Sequence, residues 1–259
     1  MIVFFSGTGN SEFVARTLQQ ELHDGCLVNV RGEVLRSATL AAPADGCPIV
    51  WVMPVYSWGL PPVMIDFIRR LDESFGKGYT HYCVLTCGDD VGLTARQWRK
   101  LLREKDWTEG ESVWSVQMPN NYVLMKGFDI DPKEIELKKL SACRARISDI
   151  ARAIVSGQTS VTDVVTGSWA WFKSGVIRPW FNRFAMSPKP FHATGGCVGC
   201  GLCSRDCPTG NITMSDHRPQ WGSECAMCLC CYHVCPQRAI AYGRHTRNKG
   251  QYICQLNND

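Results

Sequence analysis

The chain has 259 residues, 45% of them hydrophobic and 20% charged, and its 28 Lys and Arg against 24 Asp and Glu leave a formal net charge of +4. That length suits one large domain or two unequal ones, and no apolar run is long enough to span a bilayer. Fifteen cysteines with no sign of an oxidising compartment argue for metal ligands and reduced thiols, and against a disulfide scaffold. The opening Met1-Ile2-Val3-Phe4-Phe5 lacks the basic and apolar regions of a secretory leader, so a soluble cytoplasmic protein is expected.

Residues 2–5 are a short apolar run, and residues 12–22 set Phe13, Val14, Leu18 and Leu22 on one helical face. Between them lies Ser6-Gly7-Thr8-Gly9-Asn10-Ser11. A strand, a glycine and hydroxyl turn and a helix start form an anion site, because first-turn N–H groups and the helix dipole face the turn. No lysine ends this loop as in a P-loop, and Glu12 stands where a dinucleotide fingerprint needs its third glycine. The plain alternative is an ordinary strand-to-helix turn.

Further strands are expected at 26–30, 49–54, 79–86 and 113–118, alternating with helices at 62–71, 95–105 and 131–155. Asp131 reads as a helix cap with Pro132 at the first helical position. Five short apolar strands alternating with helices imply a doubly wound parallel α/β sheet, with ligands at the carboxyl ends of the strands. Those ends carry Pro54-Val55-Tyr56-Ser57-Trp58-Gly59 after the third strand and Thr86-Cys87-Gly88-Asp89-Asp90 after the fourth. Asn120, Asn121 and Tyr122 follow the fifth. A planar ring between these loops, with a phosphate on the first, would use every feature. On these residues, 1–156 resembles flavodoxin, whose cofactor is FMN. The resemblance implies a site built from Ser6, Gly7, Thr8, Gly9, Asn10, Ser11, Pro54, Tyr56, Ser57, Trp58, Gly59, Thr86, Cys87, Gly88 and Asp89. Tyr56 and Trp58 are the candidates to flank the ring, unless they pack on Trp51 or Phe67.

Residues 156–167 are turn-rich and read as a linker. Trp169, Phe172, Val176, Trp180 and Phe184 then recur at steps of three and four, interrupted at Pro179 and flanked by Lys173, Arg178 and Arg183. A buried helix joining two domains is expected here, ahead of an interfacial membrane helix. The linker is assigned 157–188.

From Cys197 to Pro236 the pattern C-x2-C-x2-C-x3-C-P occurs twice. Cys197, Cys200, Cys203 and Cys207-Pro208 recur 28 residues on as Cys225, Cys228, Cys231 and Cys235-Pro236, and Ile212 recurs as Ile240. Zinc ribbons need two ligand pairs per metal, whereas triplets followed by a Cys-Pro supply two cubanes, the fourth thiolate turning toward the other cluster. Residues 189–259 resemble the bacterial ferredoxin with two [4Fe-4S] clusters, a small α+β domain. The resemblance implies one cluster on Cys197, Cys200, Cys203 and Cys235 and another on Cys225, Cys228, Cys231 and Cys207. The other seven cysteines, at 26, 47, 83, 87, 143, 230 and 254, are expected to be reduced thiols. His233 is expected to be exposed, with donation to a cluster sulfur as the alternative. Arg244, Arg247 and Lys249 are expected to form a solvated basic tail. Two clusters of about −2 each would cancel the formal charge, so nucleic acid is not expected as a partner.

The whole order resembles the flavodoxin/ferredoxin fusion proteins of anaerobic bacteria and archaea. It implies an oxidoreductase that passes single electrons through the clusters to or from FMN, which exchanges them with a partner protein or a small acceptor; the alternative is a noncatalytic carrier or docking subunit of a larger redox complex, without bound FMN in one version. No acid–base pair marks a catalytic residue; Asp89, Asp90, Tyr56 and Cys87 are candidates by position alone.

Overall fold

The computed structural model describes residues 1–23, 26–44, 46–108 and 110–255; positions 256–259 of the expected cluster domain lie outside the described residues. The first part alternates β1 (Ile2–Phe4), α1 (Asn10–Leu22), β2 (Leu27–Asn29), α2 (Gly32–Ser37), β3 (Ile49–Pro54), α3 (Pro62–Arg70), α4 (Glu73–Gly76), β4 (His81–Cys87), α5 (Thr94–Glu104), β5 (Glu111–Gln117) and α6 (Lys133–Val155). The strands are parallel in the order β2-β1-β3-β4-β5, the flavodoxin-like doubly wound arrangement.

Among the described residues the sheet has six strands, not five. Residues Thr162–Asp163, inside the expected linker, pair parallel with β5 as β6. Both are exposed, so no apolar run announced them. Side chains hold them instead: Arg146 pairs with Asp163 at 2.7 Å and Arg99 donates to the Thr162 hydroxyl at 2.7 Å.

The inner strands are covered on both faces and therefore read as continuous apolar runs. On one face Val3, Trp51, Met53 and Leu85 pack with Met64, Phe67, Trp98 and Leu101 of α3 and α5. On the other, Ile2, Phe4, Val52 and Val84 pack with Val14 and Leu18 of α1 and with the Cys143, Ile147, Ile150, Ile154 stripe of α6. Helix α6 begins one residue later than its sequence suggests, with Pro132 at the cap position. Asp131 is drawn away from capping because it accepts the Asn120 N–H at 2.9 Å and pairs with Lys139 at 2.7 Å.

Next come α7 (Ala170–Phe172), a π-helical turn (Lys173–Ile177) and α8 (Arg178–Phe184). The widened turn lets one helix pass Pro179, whose ring would otherwise crowd the preceding carbonyl.

The last part is built from β7 (Phe191–Ala193), α9 (Leu202–Arg205), β8 (Ile212–Ser215), β9 (Arg218–Trp221), α10 (Cys230–His233) and β10 (Ile240–Tyr242). Strand β7 pairs antiparallel with β10, and β8 with β9. The 28-residue repeat holds in three dimensions: α10 starts 28 residues after α9 and β10 28 after β8. Left-handed residues recur at the same interval, Gly199 with Met227, Gly201 with Leu229 and Gly210 with Arg238. Among the described residues no helix is long and apolar enough to cross a membrane.

Candidate functional site

Gly9 caps α1 in the left-handed region at φ 93° and donates its N–H to Ser6 Oγ at 3.1 Å. This curls the 6–11 loop around the N-terminus of α1, where first-turn N–H groups have no intrahelical partner. Two hydroxyls are buried there. Ser11 Oγ and Thr86 Oγ1 lie 2.8 Å apart, and their bond uses one of two protons. Thr8 Oγ1 accepts from Asn121 Nδ2 at 2.5 Å, so its own proton is available to a ligand. Among the described residues no lysine or arginine lines the adjoining cavity; an anion there would be held by neutral donors and the helix terminus.

That cavity lies at the carboxyl edge of β1, β3, β4 and β5. Ser6, Gly7, Thr8, Asn10, Ser11, Pro54, Tyr56, Ser57, Thr86, Cys87 and Gly88 line it, joined by Asn120, Asn121 and Tyr122. Gly9, Trp58, Gly59 and Asp89 do not. Ser57 and Trp58 are both left-handed, at φ 47° and 57°, in a tight turn closed by Tyr56 N–H to Gly59 O at 2.9 Å. The turn sends Ser57 inward and Trp58 to the opposite side, beneath the Lys173 ammonium at 5.4 Å. Trp58 is therefore no wall of the cavity. Gly59 is set by a neighbour: a Cβ there would overlap the Arg178 guanidinium. Asp89 points to solvent, 3.8 Å from Lys139. Burial pushes the Cys87 thiol up to about 12, so it is inert at neutral pH. Burial also raises the Tyr56 phenol, with Cys228 and its neighbours adding to the shift.

The remaining wall comes from far along the chain: Phe181 and Met186 after the π turn, and Met227, Cys228 and Leu229 from the second cysteine copy. A Cβ on Gly7 would stand 2.7 Å from Cys228 Cβ, so the phosphate-type loop and a candidate cluster ligand are in direct contact. Sequence reasoning missed this wall, yet one signal existed. Where the first copy reads Gly199-Cys200-Gly201, the second reads Met227-Cys228-Leu229.

Cys197, Cys200, Cys203 and Cys235 line one small cavity together with Ile240. The Cys203 thiol is raised by burial first and then by its neighbours Cys235 and Cys197. In the other set, Cys225 is pushed up to about 11 by burial and by Cys207, and Cys231 is raised by burial and then by Cys225, Cys230 and Cys207. Both groupings join the fourth cysteine of one copy to the triplet of the other. Backbone donors repeat as well: Asn211 N–H reaches Cys207 Sγ at 3.4 Å and Ala239 N–H reaches Cys235 Sγ at 3.3 Å, 28 residues apart. Among the described residues no three His, Cys, Asp or Glu side chains converge tightly enough to hold a single metal ion. Cys230 Sγ instead donates to Asp206 O at 3.3 Å.

Ser57 Oγ is a buried polar atom without a hydrogen-bond partner among the described residues. Ser57 lines the cavity at the sheet edge, whereas the Trp221 indole N–H bonds the Cys231 thiol and partly offsets the rise that burial imposes on it. Leaving such a hydroxyl unpaired costs about 1–3 kcal/mol, so Ser57, at a cavity wall, marks a place where a bound group fits.

His233 is buried, contrary to the sequence expectation, and bonds to no sulfur. Its Nε2 lies 2.8 Å from Asn121 O and its Nδ1 accepts the Tyr252 N–H at 3.1 Å. Tyr252 in turn donates its hydroxyl to Asn10 Oδ1 at 2.8 Å. Loop 6–11, the loop after β5, α10 and the C-terminal segment thus close one ring of hydrogen bonds. Burial pushes the imidazole down to about 4, so it is neutral at ordinary pH. Of the basic tail, Arg244 and Arg247 are exposed, while Lys249 donates to Phe128 O.

No family model matches the chain. A stretch of 46 residues is 39% identical to a component of the ion-translocating oxidoreductase complex of Methanosarcina acetivorans, covering 17% of this chain and 17% of that protein. The matched stretch thus spans about a sixth of that curated relative's length. Among solved structures, a flavodoxin from the domain Archaea is 15% identical, covering 60% of this chain and 97% of that one with a TM-score of 0.36. The oxidised flavodoxin 1 of Bacillus cereus is 15% identical over 61% and 97%, with a TM-score of 0.36. The FMN-dependent NADH-azoreductase of Bacillus anthracis, solved with FMN, is 10% identical over 59% and 97%, with a TM-score of 0.37. The fold assignment rests on the strand order itself.

Proposed function

We propose that the chain is a flavin-linked electron-transfer protein, with FMN in the cavity at the sheet edge and two [4Fe-4S] clusters on the cross-paired cysteine sets. The observation that carries this reading is the position of Cys228, which lines the cavity and abuts Gly7. When bound, the clusters pass one electron at a time and the flavin exchanges one or two.

The chain's own groups have distinct tasks. Thr8, Ser11 and Thr86 offer hydroxyls to a phosphate. The unpartnered Ser57 Oγ offers a donor deeper in the cavity. Met227, Leu229 and Phe181 cover the cavity and keep water from it. Cys200 is exposed and Cys228 half-buried, so the two cysteine copies form a conduit with one end at solvent and the other at the cavity wall. In this reading residues 1–156 hold FMN, 157–188 connect, and 189–259 hold the clusters; the electron partner is a protein or a small acceptor. A carrier within a larger redox complex is the second reading, favoured by the 46-residue likeness to a component of such a complex.

Anaerobic purification followed by iron, sulfide and flavin analysis tests the proposal. It expects one FMN and eight irons per chain, with flavin bleaching after the clusters are reduced. Protein that carries iron but no releasable flavin would sink the FMN half; flavin with no sulfide would sink the cluster half. Turnover of quinones or nitroaromatics separates an enzyme from a carrier.

A further inference from the structure

The helical stretch between the two parts is expected from sequence to bury its aromatic stripe, and it does the reverse. Trp169, Trp171, Phe172, Val176, Trp180 and Phe184 are 80%, 71%, 44%, 44%, 55% and 63% exposed. The opposite face is pinned by polar contacts. Arg178, buried, donates to Tyr56 O at 2.6 Å and Leu60 O at 2.5 Å. Ser174 bonds Trp58 O and the Leu93 N–H, and Lys173 pairs with Asp90 at 2.6 Å. The ridge is therefore preformed, and its rings project outward. We propose that this face binds the headgroup region of an anionic lipid bilayer.

Three features select that occupant. Tryptophan, with an apolar ring and one N–H, settles at the level of lipid headgroups, and three of the projecting rings are tryptophans. A projecting ridge enters a soft headgroup layer without needing a complementary pocket, as interfacial amphipathic helices do. The charge is complementary as well: no Asp or Glu occurs between Asp163 and Asp206, the exposed Arg183 lies over the Phe184 ring at 5.6 Å, and Lys189 is exposed five residues beyond Phe184. Trp171 also borders a groove lined by Arg69, Arg96 and Lys100. Its one carboxylate, Glu104, is taken up by Arg69 at 2.8 Å, with Lys100 at 3.9 Å. Arg96 and Lys100 stand one helical turn apart on the exposed side of α5. Phe181, next in the chain to Trp180, lines the cavity at the sheet edge, so membrane binding would bring that cavity close to the bilayer surface.

The test is flotation of the anaerobically purified holoprotein with vesicles of phosphatidylcholine alone or containing phosphatidylglycerol. Wild type is expected to float with the anionic vesicles and to be released by salt. The combined Trp169→Ser, Trp171→Ser and Trp180→Ser variant should lose at least about tenfold in partitioning. Arg96→Glu with Arg183→Glu should lose about fivefold per charge, on anionic vesicles only. Absorbance and circular dichroism must match wild type; should the triple variant misfold, Trp169→Ser alone and the salt release of wild type carry the test. Wild type that stays with the lipid-free fraction overturns the proposal, as does flotation that ignores the tryptophan changes. A self-association in sedimentation that the triple variant abolishes, without lipid binding, would assign the face to a second copy and equally overturn it.

Discussion

Gly7→Ala separates the need for a glycine turn from the need for contact between the two parts. Gly7 is not in the left-handed region, so its backbone conformation admits a side chain. Space does not: a Cβ would stand 2.7 Å from Cys228 Cβ, 2.8 Å from Cys228 O and 3.3 Å from the Tyr56 hydroxyl. Ordinary contact begins near 3.4 Å, so the loop carrying Cys228 must retreat by about 0.7 Å or the 6–11 loop must tilt. Overpacking of this kind costs about 1–3 kcal/mol. If FMN binding requires the closed geometry, its dissociation constant should rise about 5- to 150-fold. Fluorescence titration of deflavinated protein measures this, and anaerobic stopped flow measures flavin reduction after the clusters are filled, expected to slow. An alanine variant with full cluster content, wild-type FMN affinity and wild-type flavin reduction would refute the contact between Gly7 and Cys228 as a functional junction.

Arg178→Met strips two buried carbonyls of a donor, at about 1–3 kcal/mol each. Removing a guanidinium whose charge burial disfavours offsets part of that loss; the two unpaired carbonyls should still lower the melting temperature and loosen the 56–60 turn, and an unchanged calorimetric transition would contradict this. Ser57→Ala removes a hydroxyl without a partner in the protein, so FMN affinity should fall about fivefold with no loss in the melting temperature of deflavinated protein. Equal affinity in both would show that Ser57 does not meet the ligand. Cys207→Ala should halve the iron and expose Cys225, Cys228 and Cys231 to alkylation while Cys197, Cys200, Cys203 and Cys235 stay protected; the opposite pattern on peptide mapping would reverse the cross-pairing. In native holoprotein at mildly alkaline pH, iodoacetamide should label the exposed Cys26 and Cys47. It should spare Cys83, Cys87, Cys143 and Cys254, whose thiols burial raises, and rapid labelling of any of these four would count against the packing of the sheet.

Sequence alone located the inner strands because both faces of each are covered, which forces unbroken apolar runs. It could not find β6, since Thr162 and Asp163 are held by Arg99 and Arg146 and carry no apolar signal of their own. The cavity was legible on the side where glycines and hydroxyls gather and illegible where a tertiary turn decides. Trp58 looked as apt as Tyr56 to face a ring, and only two consecutive left-handed residues separate them. His233 stands among Cys231, Tyr232, Val234 and Cys235, and nothing local says which way its ring turns; its burial depends on Asn121 and Tyr252, 112 and 19 residues away. The aromatic stripe at 169–184 had the period of a buried helix, and period gives no information on which face a neighbour occupies.

The duplication explains why one copy, and not the other, meets the cavity. Both copies demand left-handed residues on either side of the middle cysteine. The first meets the demand with Gly199 and Gly201, and at Gly199 a Cβ would strike His217 at 2.8 Å. The second holds Met227 and Leu229 in the same conformation, at φ 53° and 62°, a strain of about 1–2 kcal/mol each. Both side chains are buried, 8% and 3% exposed, and both line the cavity. Backbone symmetry alone would allow either copy to face the sheet edge. The side chains break that symmetry: apolar groups large enough to close the cavity stand on the copy whose middle cysteine touches Gly7, while the copy with glycines leaves Cys200 open to solvent. Strain retained at two positions, where the other copy of the same unit uses glycine, is what a site that must exclude water at the Cys228 end would require.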